Sequence, residues 1–496
     1  MKVLIVGFDG ATWDLINKFD LPNFKKLAEN GVTATMKSTY PPITIPAWPC
    51  MFSGYNPGKI GAVDFKRRRE GNKFELVNSS IWKGKLLWDR LKSLKFLILN
   101  IPSTYPPYKI NGDIVAIDFS PLTGYTYPPE LQEELESKFD INSIRNFKKL
   151  NTLYEKEMTI YKIFNHLTNK KDYDVAIVRF GIPDHVTHKT TRLSDIEQCH
   201  YLMDELLEKV IKSSRFDYLF IVSDHGVMKS EKRFCINTWL YKKGYLNLTT
   251  RGKMYLTFMK IYKKLFFRNQ LKIMLKFLLK NKLNKSENTG IPRNILNMKN
   301  ILNNINYNES RAFGILSISL KQYPIYLQIN DLNNEYEYNK LIKKLSNELL
   351  SIKDDNNKTV IKKILTKNEL YSGEHLDKMP DLIIESRYCI LSTILPELFT
   401  KIMFYTHTMN GIFAAYGKDI RKNIRLDTVQ IYDIVPTILH ILGFPIPKDI
   451  DGRVLTKIFD PNSKLAKSNP VYVKAEYYDG YKNILKNKIK QIKYKL

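Results

Sequence analysis

Short, unbroken apolar runs punctuate the chain, each ending abruptly in polar or glycine-rich residues. They fall at Val3–Gly7, Phe96–Asn100, Val115–Asp118, Val175–Phe180 and Tyr218–Ser223. Between them lie longer stretches with apolar residues at helical spacing, such as Ile196–Lys212. Continuous runs such as Leu4-Ile5-Val6 and Leu219-Phe220-Ile221-Val222 suit strands covered on both faces, as in a parallel sheet. Strand, loop, helix, strand at this rhythm predicts an α/β fold with a mainly parallel sheet. In such sheets functional groups gather just beyond the carboxyl ends of the strands. The residues that follow each run are therefore the ones to read for chemistry.

The pattern changes after Gly244. From Arg251 to Lys285 there are eleven Lys and Arg residues and no Asp or Glu, interleaved with Leu, Phe, Met and Ile. Leu271, Met274, Leu275, Leu278 and Leu279 follow helical spacing, with Lys272, Lys276 and Lys280 on another face. We read 246–304 as a basic helical insertion or cap, and 1–245 with 305–496 as one discontinuous core. Strand-like segments return at Ile315–Leu320, Ile325–Ile329 and Leu382-Ile383-Ile384, and a basic, Ile-spaced tail from Lys482 predicts a terminal surface helix.

The chain has 496 residues, of which 44% are hydrophobic, enough for one large core with an insertion. Its net charge of +28 favours anionic partners: a phosphorylated substrate, an acidic membrane surface or nucleic acid. Compositional drift toward Lys, Asn, Ile and Tyr explains the charge equally well, because the excess is spread along the chain. No nucleic-acid-binding module is recognisable, which argues against specific nucleic-acid binding. The basic stretch 251–285 reads either as a peripheral membrane contact or as a cap helix with a solvated Lys face. Cys50, Cys199, Cys235 and Cys389 are isolated, which implies neither a disulfide framework nor a thiolate zinc site and fits a reducing interior. The N-terminal apolar run is too short for a signal peptide. No run approaches the roughly 18 apolar residues of a membrane span. The expected location is the cytoplasm, with peripheral contact at the inner membrane surface if the basic stretch binds lipid.

Five places carry chemistry. Asp9 closes the opening run in Gly7-Phe8-Asp9-Gly10; alone it reads better as a helix cap. Thr44 lies between prolines in Pro41-Pro42-Ile43-Thr44-Ile45-Pro46, where a helix starts, and a Thr hydroxyl needs a base or a metal ion to act as nucleophile. Asp184 and His188 follow the fourth run at a spacing that puts both on one face of a helical turn. Asp224, His225 and Gly226 form a tight turn after the fifth run, and His407 precedes a further apolar segment. The chain holds eight His, and three stand at these places. Asp and His without thiolate suit Zn²⁺, with Mn²⁺ as the alternative. So many separated N/O ligands exceed the needs of one tetrahedral ion and point to two.

In this order the motifs resemble the alkaline phosphatase superfamily, specifically the type I phosphodiesterase and nucleotide pyrophosphatase branch. Further matches are Ser53-Gly54-Tyr55-Asn56-Pro57-Gly58, Asn237-Thr238-Trp239-Leu240, Met379-Pro380-Asp381-Leu382, Asp433-Ile434-Val435-Pro436-Thr437 and Asp451-Gly452-Arg453-Val454-Leu455. The resemblance implies a three-layer sandwich with helices on both faces of the sheet. It implies one metal on Asp184, His188 and His407, and another on Asp9, Asp224, His225 and the Thr44 oxygen. Thr44 would attack phosphorus and form a phospho-threonine intermediate, with a backbone N–H near it and His185 beside the ligands. The implied substrate is a phosphate mono- or diester: a phosphorylated small molecule, a nucleotide, or a lipid- or glycan-linked ester. A phosphomutase or phosphotransferase, and a non-catalytic membrane- or nucleic-acid-associated protein of the same fold, are the competing readings. No sulfatase-type Cys or Ser motif occurs at Thr44, and Arg67, Arg68 and Arg69 are the candidates for gripping phosphate.

Overall fold

Strands form where β-branched and aromatic residues run without interruption. In chain order they include β1 (Val3–Phe8), β2 (Val32–Lys37), β3 (Phe96–Leu99), β4 (Gly112–Val115), β5 (Thr126–Tyr127), β6 (Val175–Phe180), β7 (Tyr218–Val222) and β8 (Gly226–Cys235). They continue with β9 (Ala312–Phe313), β10 (Leu320–Leu327), β11 (Ile361–Thr366), β12 (Leu382–Leu391), β13 (Phe399–Thr408), β14 (Asn410–Gly417) and β15 (Ile424–Gln430). The helices that matter here are α1 (Pro22–Asn30), α2 (Thr44–Ser53), α3 (Leu150–Lys170), α4 (Asp184–Thr187), α5 (Leu193–Ser213), α6 (Thr250–Phe267) and α7 (Ile434–Ile441). This computed structural model describes residues 1–69, 73–145, 150–213, 215–267, 304–316, 318–328 and 335–474.

A nine-stranded sheet with the order β15-β2-β14-β7-β1-β6-β3-β4-β5 runs through the molecule, all parallel except β14 and β5. Every residue of β1, β6 and β7 is buried, as parallel strands covered on both sides require. One face packs against α2 and α7 in a core holding Trp48, Trp82 and Trp88; the other packs against α1, α3 and α5. The result is the expected three-layer α/β sandwich. β1 pairs in register with β6 on one side and β7 on the other, so the residues after all three strands meet at one edge.

A second sheet, β9-β10-β12-β8-β13 with β11 on β12, stands beside that edge. Its strand β8 continues directly from the turn after β7 and pairs antiparallel with β13. That pairing delivers residues of β13 to the central sheet.

The family-like motifs without chemistry are clasps. Asn237 donates to the carbonyls of Gly314 and Ser392 (both 2.8 Å) and accepts from Gly314 N (2.8 Å), and Thr238 does the same work at Leu395. Asp451 accepts from the backbone and side chain of Asn56 and pairs with Lys59 at 2.7 Å. Asp433 holds the backbone N–H groups of Gln430 and Arg453, and Asp381 ties Leu327 N to Arg68, Tyr338 and Lys367.

Three sequence boundaries are corrected. Of the described residues in Ile315–Leu320 only Leu320 is in a strand; side chains hold the neighbouring backbone instead, with Asn237 on Gly314 and Leu316 O accepting from Tyr323 and Ser392. The strand expected at Ile325–Ile329 ends at Leu327 and begins at Leu320. Val115–Asp118 contributes only Val115, since Asn100 Oδ1 captures the N–H of Asp118 (2.9 Å). Leu248 bridges Ile305, which brings the two ends of the segment read as an insertion together. The first part of the insertion is α6; the apolar stripe at 271–279 and the tail beyond 482 lie outside the described residues. No described helix is long and apolar enough to cross a membrane.

Candidate active site

Three adjacent strands end in ligand-type residues, and their backbones are tied together. Asp9 follows β1, and its N–H donates to Phe180 O at the end of β6 (3.0 Å). Its own carbonyl accepts from Asp184 N (3.0 Å), at the start of α4. Gly10 turns away at φ 73°, with Asp184 Cβ 3.0 Å from where its own Cβ would stand. Asp224 and His225 follow β7. A Cβ on Gly226 would meet Asn410 O at 2.1 Å, so the turn after His225 admits only glycine. Thr44 is the first residue of α2, a helix buried at every position. His407 arrives from β13, paired with Val227.

These seven residues converge. His188 Nε2 lies 3.2 Å from His407 Nε2 and 3.2 Å from Asp184 Oδ1, and His407 Nε2 is 3.3 Å from the same oxygen. A tetrahedral ion with ligands about 2.0–2.1 Å away holds them about 3.3 Å apart along each edge, so this triangle has the dimensions of one coordination face. Beside it, His225 Nε2 is 3.2 Å from Thr44 Oγ1, 3.3 Å from Asp224 Oδ2 and 3.6 Å from Asp9 Oδ1. The rings of His225 and His407 stack with centroids 3.7 Å apart, which joins the two groups. His225 is within reach of both, with Asp184 and His407 on one side and Asp9 and Asp224 on the other.

The donor chemistry fits cations. Asp9 Oδ1, Asp184 Oδ1 and Asp224 Oδ2 are buried without a hydrogen-bond donor, a costly state for carboxylate oxygens unless a cation meets them. His407 Nδ1 is 2.9 Å from Pro42 O and His225 Nδ1 is 3.1 Å from Gly226 O. Each ring then donates its N–H to a carbonyl and turns a bare Nε2 inward, the arrangement that suits a metal-binding imidazole.

Without metal the ionisable groups push one another apart. Burial would raise the Asp184 carboxyl, but the neighbouring His188, whose charge is the larger influence, and His407 hold it well below the usual range. Asp184 in turn raises His188 to about 9. Burial, then Asp9, pushes Asp224 well above the carboxylate range. Burial, then His407, lowers His225 to about 3.

Not every candidate joins the site. Arg67 and Arg69 pair with Glu75, and Arg68 with Asp381 at 3.3 Å, in a hairpin that these ion pairs occupy. His185 faces Glu157 at 3.8 Å rather than the ligands. One residue the pattern conceals is Arg179, 1% exposed within β6, which donates to Asp9. Its signal was a charge inside an otherwise apolar run.

A mainly parallel sheet with these residues at its carboxyl edge places them where α/β folds of this kind carry their chemistry. The chain belongs to the type I phosphodiesterase/nucleotide pyrophosphatase family, whose model matches residues 3–388. Phosphodiester hydrolysis is the reaction that this family's description names. Among solved structures, murine ectonucleotide pyrophosphatase/phosphodiesterase 5, an inactive threonine-to-alanine form in complex with AMP, is similar with a TM-score of 0.51 at 13% identity. The match covers 89% of this chain and 95% of that one. The human protein of the same name gives a TM-score of 0.52 at 14% identity, with the same coverage. No curated protein is significantly similar in sequence.

Proposed function

We propose that this chain is a two-metal phosphoesterase that hydrolyses nucleotide-type phosphodiesters through a covalent phospho-threonine at Thr44. The observation that carries the reading is the placement of Thr44 Oγ1. It heads a buried helix, 3.2 Å from His225 Nε2, facing carboxylate oxygens that no donor satisfies. Asp184, His188 and His407 would hold one ion, and Asp9, Asp224, His225 and Thr44 the other, with Zn²⁺ favoured over Mn²⁺ by a mixed Asp and His set without thiolate. When bound, such ions supply Lewis acidity, which lowers the pKa of a coordinated hydroxyl and offsets charge on phosphoryl oxygens.

The residues then divide the work. Thr44 loses its proton to solvent, and its Oγ forms the new bond to phosphorus while the bond to the leaving alkoxide breaks. The N–H groups of Thr44 and Ile45, first in α2, have no acceptor within the helix, and a helix start of this kind favours phosphoryl oxygens. Water then attacks the phospho-threonine, releasing the phosphate product and returning the proton to Thr44. His407 and His225, oriented by Pro42 O and Gly226 O, keep both sides of the site rigid during the exchange.

The AMP bound by the murine relative supports a nucleoside ester as substrate. A hydrolysis screen of nucleotide diesters, monoesters and lipid phosphoesters with Zn²⁺ and Mn²⁺ tests this. Faster turnover of nucleotide diesters is expected, and activity confined to lipid esters or absent with both metals would refute it.

A finer statement concerns α6. Met254, Phe258 and Ile261 are 68%, 48% and 53% exposed on one stripe, while Leu256 and Met259 are buried on the opposite side. Exposed Arg251, Lys253 and Lys260 flank the stripe, and the helix carries no acid in the described residues. An apolar stripe edged by cations suits an anionic lipid surface, so we infer peripheral membrane contact through this helix.

A further inference from the structure

The protein treats the two oxygens of Asp9 unequally. Oδ2 accepts from Arg179 Nε at 2.9 Å, Arg179 Nη2 at 2.5 Å and Trp48 Nε1 at 3.4 Å. Oδ1 is buried, accepts nothing and lies 3.6 Å from His225 Nε2. A carboxylate served by no donor exchanges its oxygens by rotation. Here rotation would break three hydrogen bonds at once, so one oxygen is committed to the site.

Arg179 is held in turn. A fully buried guanidinium needs its remaining N–H groups paired. Arg179 Nη1 donates to Asp118 Oδ2, and Asp118 Oδ1 accepts from Lys156, itself buried. Asn100 locks this layer: its amide donates to Asp118 Oδ2 (3.2 Å) and to Arg179 O (3.1 Å), and its oxygen accepts from Asp118 N. Charges alternate along Asp9, Arg179, Asp118 and Lys156. Counted with Asp9, the four charges sum to zero, so the buried row carries no net charge. A lysine at 179 would offer a point charge in place of two N–H groups aimed at one oxygen and a third at Asp118.

We propose that Arg179, anchored by Asp118 and Lys156, is a positioning residue that commits Asp9 to present Oδ1 to the second metal. This rests on the two-metal reading given above. Partners of this kind, one shell behind the ligands, typically change metal affinity by about 10–100-fold.

The test is a zinc titration of metal-depleted full-length protein against a chromophoric chelator, with circular dichroism as the check on folding. Wild type, R179M, R179K, D9N and the D9N/R179M double variant are compared. Wild type is expected to bind two equivalents. R179M should keep one at wild-type affinity and weaken the other by about 10–100-fold, with R179K in between. In the D9N background, loss of Arg179 should cost nothing more, because the arginine acts only through Asp9. Should R179M not fold, D118N is read in its place and should weaken the same equivalent. Two unchanged or tightened equivalents, weakening of both alike, or an equal further loss in the D9N background would each overturn the assignment. A wild-type protein that binds no zinc would overturn the two-metal reading and this assignment with it, a result distinct from two wild-type sites that R179M leaves unmoved.

Discussion

His188 Nε2 and His407 Nε2 stand 3.2 Å apart, brought together from positions 219 residues distant. Two bare imidazole nitrogens at that distance repel, so a proton or a metal cation must lie between them. Asp184 favours the proton when metal is absent and raises His188 to about 9.

That competition has a sign. Below about pH 9 zinc must displace the His188 proton. Apparent zinc affinity should therefore rise with pH and level off above about 9. Titration calorimetry in buffers of differing ionisation enthalpy should find proton release at pH 7 that shrinks above pH 9. Release independent of pH would contradict the account.

The same pair links stability to pH in the metal-free protein. His188 is raised from 6.5 to about 9, so its contribution is complete below pH 6.5 and is lost as pH rises through 9. Its side chain is 43% exposed, so screening limits the effect to about 1 kcal/mol or less. Thermal unfolding of metal-free protein should show the midpoint falling over this window, and His188→Gln should flatten the fall.

Asn237 sits far from any chemistry yet joins three segments. Asn237→Ala leaves Gly314 and Ser392 with buried unsatisfied backbone groups, a loss of about 1–3 kcal/mol. Denaturant unfolding should register it as a lower midpoint, with zinc stoichiometry at wild-type level.

Peripheral membrane contact through α6 is tested by vesicle sedimentation. Vesicles rich in anionic lipid should retain the protein at low salt and zwitterionic ones should not. Replacing Lys253 and Lys260 by Glu should abolish retention, since each cation near such a surface contributes about 1 kcal/mol. Equal retention on both lipids would reject the idea.

The sequence made most of the sheet edge readable. Asp9, Asp184, Asp224 and His225 each follow an apolar run, and Thr44 begins a helix between prolines, all local signals. His407 had none: it lies inside a strand of the other sheet, and only the pairing of Val227 with His407 brings it in. Arg179 showed only as a charge inside an apolar run, and its role depended on partners far away in sequence. Ile315–Leu320 misled for the converse reason. Its residues favour a strand, but Asn237, Tyr323 and Ser392 satisfy the neighbouring backbone and leave no ladder to form.

The central claim is that Thr44 is the nucleophile of a two-metal site. Its most direct test compares wild type and Thr44→Ala for zinc content and for turnover of an aryl phosphodiester in the same preparation. The account predicts two equivalents of zinc in both proteins and turnover lowered about 1000-fold or more in the variant. Wild-type turnover by Thr44→Ala would contradict it.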